Sequence, residues 1–214
     1  MSESLVTSAA NSGERVRTQA DRRKKAQEAA RGRLLQAGAA LLADRGLEGA
    51  NSNQIARSAG AGVGTFYTHF EDKHALHRAV VRHTFEGLQA RLAKAAAEPE
   101  SLEEQVRALV GALCDFAAAH PDFFRVAFGR PLPAHVPGEP ALTFSTRGVE
   151  QRLDALRREG RLEIDVDPGV AACAALAMQT GVALQWLDGR LKADREILVE
   201  TLTRLHPALS ASTD

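Results

Sequence analysis

The chain has few of the residues that define several protein classes. Its 214 residues include two cysteines, one tyrosine, one tryptophan and three isoleucines. Two cysteines without C-x-x-C spacing provide neither a disulfide framework nor a zinc motif. Leucine, with 25 copies, and alanine dominate the apolar residues. Both favour helices, whereas the scarce isoleucine favours strands. The composition therefore predicts an all-α protein.

The sequence also lacks the marks of exported and membrane proteins. Its first residues, Met1–Ser4, are not a basic region followed by an apolar stretch, so no signal peptide is expected. No apolar run approaches the ~20 residues that a membrane-spanning helix needs. We therefore expect a cytoplasmic chain without a membrane partner.

A surplus of either charge is missing as well, because 27 Lys and Arg balance 27 Asp and Glu. The balance is uneven along the chain: residues 1–90 hold 13 basic and 9 acidic residues, and residues 91–214 hold 14 and 18. Between residues 15 and 57 the counts are 10 and 4. A basic end on an acidic body is typical of DNA-binding proteins, although solvated helix faces also carry small surpluses.

Apolar periodicity predicts about nine helices and no strand. Residues 1–24 lack such periodicity and end in a basic run, so we predict a flexible arm there. A helix over 25–45 follows, and Gly46 is placed to end it. The other helices are predicted near 52–59, 63–70, 73–94, 101–120, 122–128, 143–160, 168–187 and 194–205.

Two of these predicted helices are short and adjacent. Asn51 or Ser52 can cap the first, and Gly60 ends it. The link Ala61–Gly62 then leads into the second, which begins at Val63. Two helices joined by three or four residues that include glycine form a helix-turn-helix.

The residues of this motif are specific. They include Gln54–Ala56, Ala59–Gly60 and the run Gly64–Lys73 (GTFYTHFEDK), with Leu34–Gly38 and Asp44–Gly46 upstream. With this order and spacing, residues 30–78 resemble the tetracycline-repressor (TetR) family of bacterial transcription regulators. The resemblance implies a helix-turn-helix domain over 25–72. It further implies a helical domain for ligand binding and dimerisation over 73–206 and a loose tail over 207–214.

The residue types suit DNA binding. A recognition helix enters the major groove N-terminus first, and the small residues Gly62 and Gly64 let its backbone approach. The resemblance implies backbone contacts by Thr65, Tyr67, His69 and Lys73, a phosphate-contacting cap at Ser52, and base-facing positions at Asn53, Val63 and Thr68. Gly64 and the run Arg22, Arg23, Lys24 and Lys25 complete the DNA-binding candidates. This run can track phosphates or enter the minor groove, or it can be a solvated charge run.

Two of these positions differ from many family members. Val63 offers only apolar contact, for example with a thymine methyl, and Asn53 replaces a commonly basic residue and prefers adenine. No known operator sequence can therefore be transferred to this chain.

The resemblance also implies a homodimer that binds a palindromic operator and responds to a small molecule. The predicted interface lies on the last two helices, where we expect Ala174, Ala177, Gly181 and Leu202 to be buried only in the dimer. The candidate interface residues are Ala174, Ala177, Gly181, Leu198, Leu202 and Leu205. The candidate ligand-binding residues are Phe85, Leu88, Leu109, Leu113, Phe116, Phe123, Phe124, Phe128, Met178 and Trp186.

The ligand candidates carry few charges, so we expect an apolar or aromatic effector rather than a highly charged one. Their spacing is equally that of an ordinary core. Ligand binding should move the helix that begins at Lys73 and release the DNA, which makes the protein a repressor, the commoner role in the family.

Other functions have weaker support in the sequence. His69, His74, His77 and His83 lie close together, but no cysteine is near and no H-E-x-x-H motif occurs, so a metal-responsive regulator is the lesser alternative. Cys114 and Cys173 could make a redox switch. The chain has no nucleotide-binding or hydrolase motif, so we expect neither an enzyme nor a cofactor. A helical scaffold without DNA binding is the remaining alternative.

Overall fold

The structure is a computed structural model that describes residues 3–97, 99, 101–129, 150–151, 153–155, 157–160, 167–207 and 209, with the backbone alone for residues 3–18. The described residues are helical and contain no strand, so the all-α prediction is confirmed. Helical residues also lie within 150–158. The helices are α1 (Glu3–Gly49), α2 (Ser52–Ser58), α3 (Val63–His69), α4 (Lys73–Ala95), α5 (Leu102–Ala119), α6 (Pro121–Phe128), α7 (Pro168–Leu187) and α8 (Arg195–Arg204).

Helix α1 corrects the prediction of a flexible arm, because it begins at Glu3 rather than near residue 25. Residues 14–31 contain neither glycine nor proline and consist largely of the helix formers Ala, Arg, Lys, Gln and Glu. Residues 19–29 are exposed. The absence of apolar periodicity therefore excludes a helix that packs one face against a core, but it does not exclude an exposed helix. Gly46 breaks the helical geometry with φ 68°, as predicted for the end of the first helix.

The first compact unit spans Met1–His77 and contains the two short helices. Phe66 and Phe70, whose ring centroids lie 5.8 Å apart, fill its core with exposed fractions of 0 and 5 %. Gly38 lets α1 approach α4, since a Cβ atom there would lie 2.4 Å from Leu76 Cδ2. The core also contains Leu34, Leu35, Ala39, Leu42, Ile55, Ala56 and Leu76.

The second unit spans Arg78–Asp214 and is organised around α5, which packs on α6, α7 and α8. A capping box begins α5, with Ser101 Oγ accepting from Glu104 N–H and the Glu104 carboxylate accepting from Ser101 N–H. Asp167 caps α7 by accepting from Val170 N–H at 2.9 Å. Asp194 occupies the cap position of α8, but its side chain makes no capping hydrogen bond.

Helix α7 corrects a second prediction. Its 20 residues are long and apolar enough to cross a membrane by length and composition, with a mean hydropathy of 1.4. Only 28 % of that window is buried. Gln179, Thr180 and Gln185 interrupt the apolar run, so its length is not evident in the sequence. A core helix of a globular domain passes the same test, so the finding is weak evidence for a membrane.

Several predictions lie outside the described residues. These are the link between the helices predicted near 122–128 and 143–160, the helix start near residue 143 and most of the tail. Of the predicted helix over 143–160, the structure describes a buried Leu153 and Gly160, whose φ of 67° suits the predicted helix end.

Candidate nucleic-acid interface and ligand site

The turn between α2 and α3 is built from local capping interactions. Asn51, not Ser52, caps α2, because its Oδ1 atom accepts from the backbone N–H groups of Asn53 at 2.9 Å and Gln54 at 3.2 Å. Gly60 has φ 62°, a conformation that suits glycine. Ser52 is the first residue of α2, and the side chain of Asn53 is exposed beside it.

Helix α3 presents one exposed face. Val63, Gly64, Tyr67 and Thr68 are exposed, at spacings that place them on one side of the helix. Phe66 points into the core. Tyr67 is 56 % exposed, and its ring rests edge-on against Phe66 with centroids 5.3 Å apart. The core therefore fixes the direction of the tyrosine hydroxyl.

The remaining candidates border this face. Thr65 and His69 are partly buried on α3. The Thr68 hydroxyl donates a hydrogen bond to Gly64 O at 2.9 Å. Its oxygen can therefore still accept a hydrogen bond from another molecule. Lys73, at the first position of α4, lies 3.6 Å from the largely exposed Glu48 carboxylate. Because Glu48 is exposed, the pair contributes little stability, and the ammonium group of the partly buried Lys73 can exchange its partner.

Glycines 62 and 64 have no steric role inside the unit. A Cβ atom at either position would meet nothing within 4 Å, and neither residue has a positive φ. Gly60, by contrast, is required by its backbone conformation. At the N-terminus of α3, no side chain covers the backbone at Gly62 and Gly64. A second molecule can therefore approach the backbone there.

Exposed basic residues lie on α1 and α2. Arg22, Arg23, Lys24 and Lys25 are all exposed on α1. Arg57, exposed on α2 one turn after Asn53, was missed by the sequence analysis, although its position on the same helix face as Asn53 is visible in the spacing.

Two further arginines of this unit contact the chain itself. Arg33 Nε donates to Ala59 O at 3.3 Å, and the Arg31 guanidinium carbon lies 5.5 Å from the Phe70 ring centroid. They hold α1 against the ends of α2 and α3.

The predicted ligand candidates form a packed aromatic cluster in the second unit. Phe116, Phe123 and Phe124 are at most 5 % exposed, and Leu88 and Leu113 are also buried. Phe124 and Phe128 lie 4.6 Å apart, and Phe128 meets Phe85 edge-on at 5.3 Å. The partly buried candidates are Phe85, Leu109, Phe128, Met178 and Trp186.

An open groove of about 1300 Å³ lies elsewhere in the second unit, between α4, α5 and α8. It includes none of the ten ligand candidates. Ala108, Gly111 and Ala112 contribute small side chains of α5 to its wall. Arg195 crosses from α8 to Asp115 with two hydrogen bonds of 2.5 and 2.7 Å. Small residues at this spacing on α5 were the sequence signal for the groove.

The interface candidates divide into two groups. Ala174, Ala177 and Gly181 are exposed on α7, and Leu205 is 57 % exposed at the end of α8. Leu198 and Leu202 are 3 and 1 % exposed within a single chain. The prediction that Leu202 is buried only in a dimer is therefore wrong, because Leu198 and Leu202 lie on the inward face of α8, in the core of the second unit.

The alternatives for metal and redox chemistry involve other residues. The described part of the chain contains no group of three or more His, Cys, Asp or Glu side chains that could hold a metal ion. Cys114 is buried, and burial raises the pKa of its thiol to about 11. Cys173 is exposed on α7.

The fold and the exposed face of α3 together define a class, a helix-turn-helix protein with an additional helical domain. Residues 34–80 match the family described as bacterial regulatory proteins, tetR family. The match covers α2, α3 and the start of α4, so the helix-turn-helix part of the chain has the sequence pattern of this family of regulators.

Similar proteins agree with this assignment. The chain is 25 % identical over 171 residues to the HTH-type transcriptional activator FasR of Mycolicibacterium smegmatis, covering 79 % of this chain and 78 % of FasR. The structure resembles the regulator FadR from Bacillus subtilis in complex with stearoyl-CoA, with a TM-score of 0.70, 15 % identity and coverage of 85 and 98 % of the two chains. It also resembles AibR in complex with isovaleryl coenzyme A and operator DNA, with a TM-score of 0.69, 18 % identity and coverage of 83 and 98 %. At these identities the two structures show a shared fold.

Proposed function

We propose that this regulator binds a palindromic DNA operator as a homodimer in the cytoplasm and that an acyl effector controls its affinity for DNA. The observation that carries the proposal is the exposed face of α3. Val63, Tyr67 and Thr68 project from it beside the two uncovered glycines. A helix that enters the major groove needs small residues at its N-terminus and exposed side chains that reach bases and phosphates.

Residues outside α3 would position the protein on the phosphate backbone. Lys73 offers an ammonium group at the start of α4, with Thr65, His69 and Ser52 beside the groove. Asn53 would read an adenine edge and Val63 a thymine methyl. The exposed Arg22, Arg23, Lys24 and Lys25 would add contacts along α1 that depend on salt but not on sequence.

The proposed dimer forms through α7 and α8. The exposed face of α7 carries Val170, Ala174, Ala177 and Gly181, and Val170 is 67 % exposed. On α8, Ile197 and Leu205 are both 57 % exposed. A second copy of the chain would bury these residues, and small residues let helices approach closely. Two-fold symmetry would then match the two halves of a palindromic operator.

The proposed effector is a molecule with an acyl chain. The aromatic and aliphatic side chains of α4, α6 and α7 offer apolar surface. Within this surface Phe85, Phe128 and Met178 are only partly buried, so a ligand can reach them. Two proteins of the same fold are described in complex with stearoyl-CoA and isovaleryl coenzyme A. We infer that the acyl chain repacks this cluster.

The proposed mechanism is a population shift. Helix α4 begins in the first unit with Lys73 and continues into the second, where it carries Phe85 and Leu88. An effector that binds more tightly to an arrangement of α4 that cannot bind DNA shifts the protein toward that arrangement and lowers its affinity for DNA. The largest possible decrease is the ratio of the effector's affinities for the two arrangements.

Selection of bound sequences from random DNA tests the DNA-binding proposal. We expect one palindromic motif, and recovery of no motif would contradict the proposal and favour the scaffold alternative. Stearoyl-CoA is then added to the protein–operator complex and the affinity is measured by fluorescence anisotropy. If calorimetry shows that stearoyl-CoA binds but the operator affinity stays unchanged, the effector mechanism is wrong.

Repression is the proposed direction of control, because displacement from an operator relieves a block to transcription. The similarity to FasR, which is described as an activator, supports activation as the second candidate. A reporter gene behind the selected operator decides between them, since deletion of the regulator raises expression for a repressor and lowers it for an activator.

A further inference from the structure

Three basic side chains meet at two phenyl rings of the second unit. The His120 ring centroid lies 4.9 Å from that of Phe116 and 6.4 Å from that of Phe123. Arg91 Cζ lies 5.7 Å from the Phe116 centroid, and the His83 ring lies 5.4 Å from Phe123. Arg91 and His120 thus share one ring, and His83 and His120 share the other.

Asp115 and Asp122, the acidic neighbours of this cluster, each pair with an arginine outside it. Asp115, the acidic neighbour of Arg91, is held by two hydrogen bonds from Arg195 of α8. Asp122 lies 3.5 Å from Arg125. Burial and the positive charges of Arg91 and His83 lower the pKa of His120.

The start of α6 adds to this positive region. His120 occupies the N-cap position, and its side chain makes no capping hydrogen bond. The first backbone N–H groups of a helix have no partner inside the helix and attract anions. The Thr84 hydroxyl, 3.3 Å from Phe123 O, joins this end of α6 to α4.

The apolar cluster begins directly beneath the basic groups. Phe116 and Phe123 are almost fully buried and belong to the same packed region as Phe124 and Phe128. A ligand with an anionic group at one end and an acyl chain at the other matches this arrangement. Its anionic group would meet the basic side chains, and its acyl chain would meet the phenylalanines.

We propose that His83, Arg91 and His120 form an anion site that binds the phosphate or carboxylate head of an amphipathic acyl ligand. This inference rests on the proposed function for the identity of the acyl chain but not for the anion. It differs from the sequence-based expectation of an apolar or aromatic effector rather than a highly charged one, because charged groups border the ligand candidates without being among them.

Binding at this site is linked to protonation. A bound anion stabilises the protonated, charged form of a nearby histidine. Anion binding is therefore accompanied by proton uptake when His83 or His120 is neutral. Because the pKa of His120 is lowered, affinity rises as the pH falls below the ordinary histidine pKa of about 6.5. The groups that face the cluster are His83 and Arg91 from α4, Asp115 from α5, Asp122 from α6 and, through Asp115, Arg195 from α8.

The direct test is an NMR titration of the two histidines with and without inorganic pyrophosphate. We expect pyrophosphate to raise the pKa of His120 and His83, and Arg91→Gln to abolish the rise. Lys94→Gln is the matched control, because Lys94 is an exposed cation one turn along the same helix. Unchanged histidine pKa values, or equal loss in both variants, would overturn the site.

Calorimetry with three ligands separates this inference from the proposed function. Stearoyl-CoA, stearate and stearyl alcohol share the alkyl chain and carry a phosphate, a carboxylate and no charge. We expect both anions to bind more tightly than the alcohol, with Arg91→Gln weakening stearoyl-CoA about tenfold, the value of one charge-assisted hydrogen bond.

The outcomes of the two experiments differ for the two ideas. Equal binding of all three ligands contradicts the anion site and leaves the acyl effector in place. If none binds but pyrophosphate still shifts the histidines, the acyl effector is wrong and the anion site stands, and the histidine titration alone then supports a free phosphate as its ligand.

Discussion

The two units of the chain leave opposite kinds of surface exposed. The first unit buries Phe66 and Phe70 and presents glycines, Tyr67 and Lys73 around a short helix. The second unit buries a larger aromatic core, yet leaves apolar side chains exposed along α7 and α8, among them Val170 at 67 %.

The difference indicates what each unit binds. Exposed polar groups and uncovered backbone suit a hydrated polyanion, which is held by hydrogen bonds and charge. Exposed alanines and branched apolar side chains gain free energy only when another apolar surface covers them. This contrast supports the proposals that the first unit binds DNA and that the second unit binds a second copy of the chain.

The largest expected effect is on DNA binding. Replacing both Tyr67 and Lys73 by alanine removes four proposed contacts from a two-fold complex, each of about 1–3 kcal/mol. Operator affinity should fall by about a thousandfold or more, and the dependence on salt should become weaker. Fluorescence anisotropy at several salt concentrations measures both.

The fold provides the control for this variant. Tyr67 is 56 % exposed, so the double variant should keep its thermal stability. Phe66→Ala, at a fully buried position, should instead lose about 3–5 kcal/mol. Wild-type operator affinity in the stable double variant would show that α3 is not the DNA-reading helix.

A charge on the exposed face of α7 should break the dimer. Ala174→Glu places a carboxylate in the proposed interface, where an unpaired charge costs several kcal/mol. We expect a monomer by sedimentation and weak operator binding. Ala118→Glu, at an exposed alanine of α5, should leave the dimer intact, and a dimeric Ala174→Glu variant would exclude this face.

Two glycines of the first unit should respond in opposite ways to substitution. Gly60→Ala forces a left-handed conformation on alanine and should cost about 1–2 kcal/mol. Gly64→Ala meets no atom within 4 Å and should raise helix stability by up to about 1 kcal/mol, while operator affinity falls. If Gly64→Ala binds DNA normally, the uncovered backbone has no role in binding.

The smallest effect concerns the ion pair between α5 and α8. The hydrogen bonds from Arg195 lower the pKa of Asp115, so the pair stabilises the fold above the ordinary carboxyl pKa. That stability is lost as the pH falls through the lowered value. Because both groups are half exposed, Asp115→Asn should cost only about 0.5–1 kcal/mol at neutral pH.

Denaturant unfolding at neutral and strongly acidic pH measures this contribution. The difference between wild type and Asp115→Asn should disappear in acid. Asp44→Asn is the control from the first unit, because Asp44 pairs with its sequence neighbour Arg45 at the surface and should not affect stability. A cost for Asp115→Asn that persists in acid would show that packing, not charge, makes the contribution of Asp115 between α5 and α8.

The helix-turn-helix and the caps were predictable because they depend on local residues. Asn51, Gly60 and Ser101 act within three or four positions of themselves, and such interactions are visible in the sequence. The buried state of Leu202 was not predictable, because it depends on which face of α8 meets α5. The cluster of His83, Arg91 and His120 joins residues that are distant in the sequence, so only tertiary packing shows it.

The different environments of the two cysteines provide a built-in chemical probe. Cys114 is buried, and its raised pKa keeps the thiol protonated at neutral pH, whereas Cys173 is exposed next to Ala174. A maleimide reagent should therefore label the wild-type chain at one position. Protection of that position as protein concentration rises would give the dimer dissociation constant directly, without a single substitution.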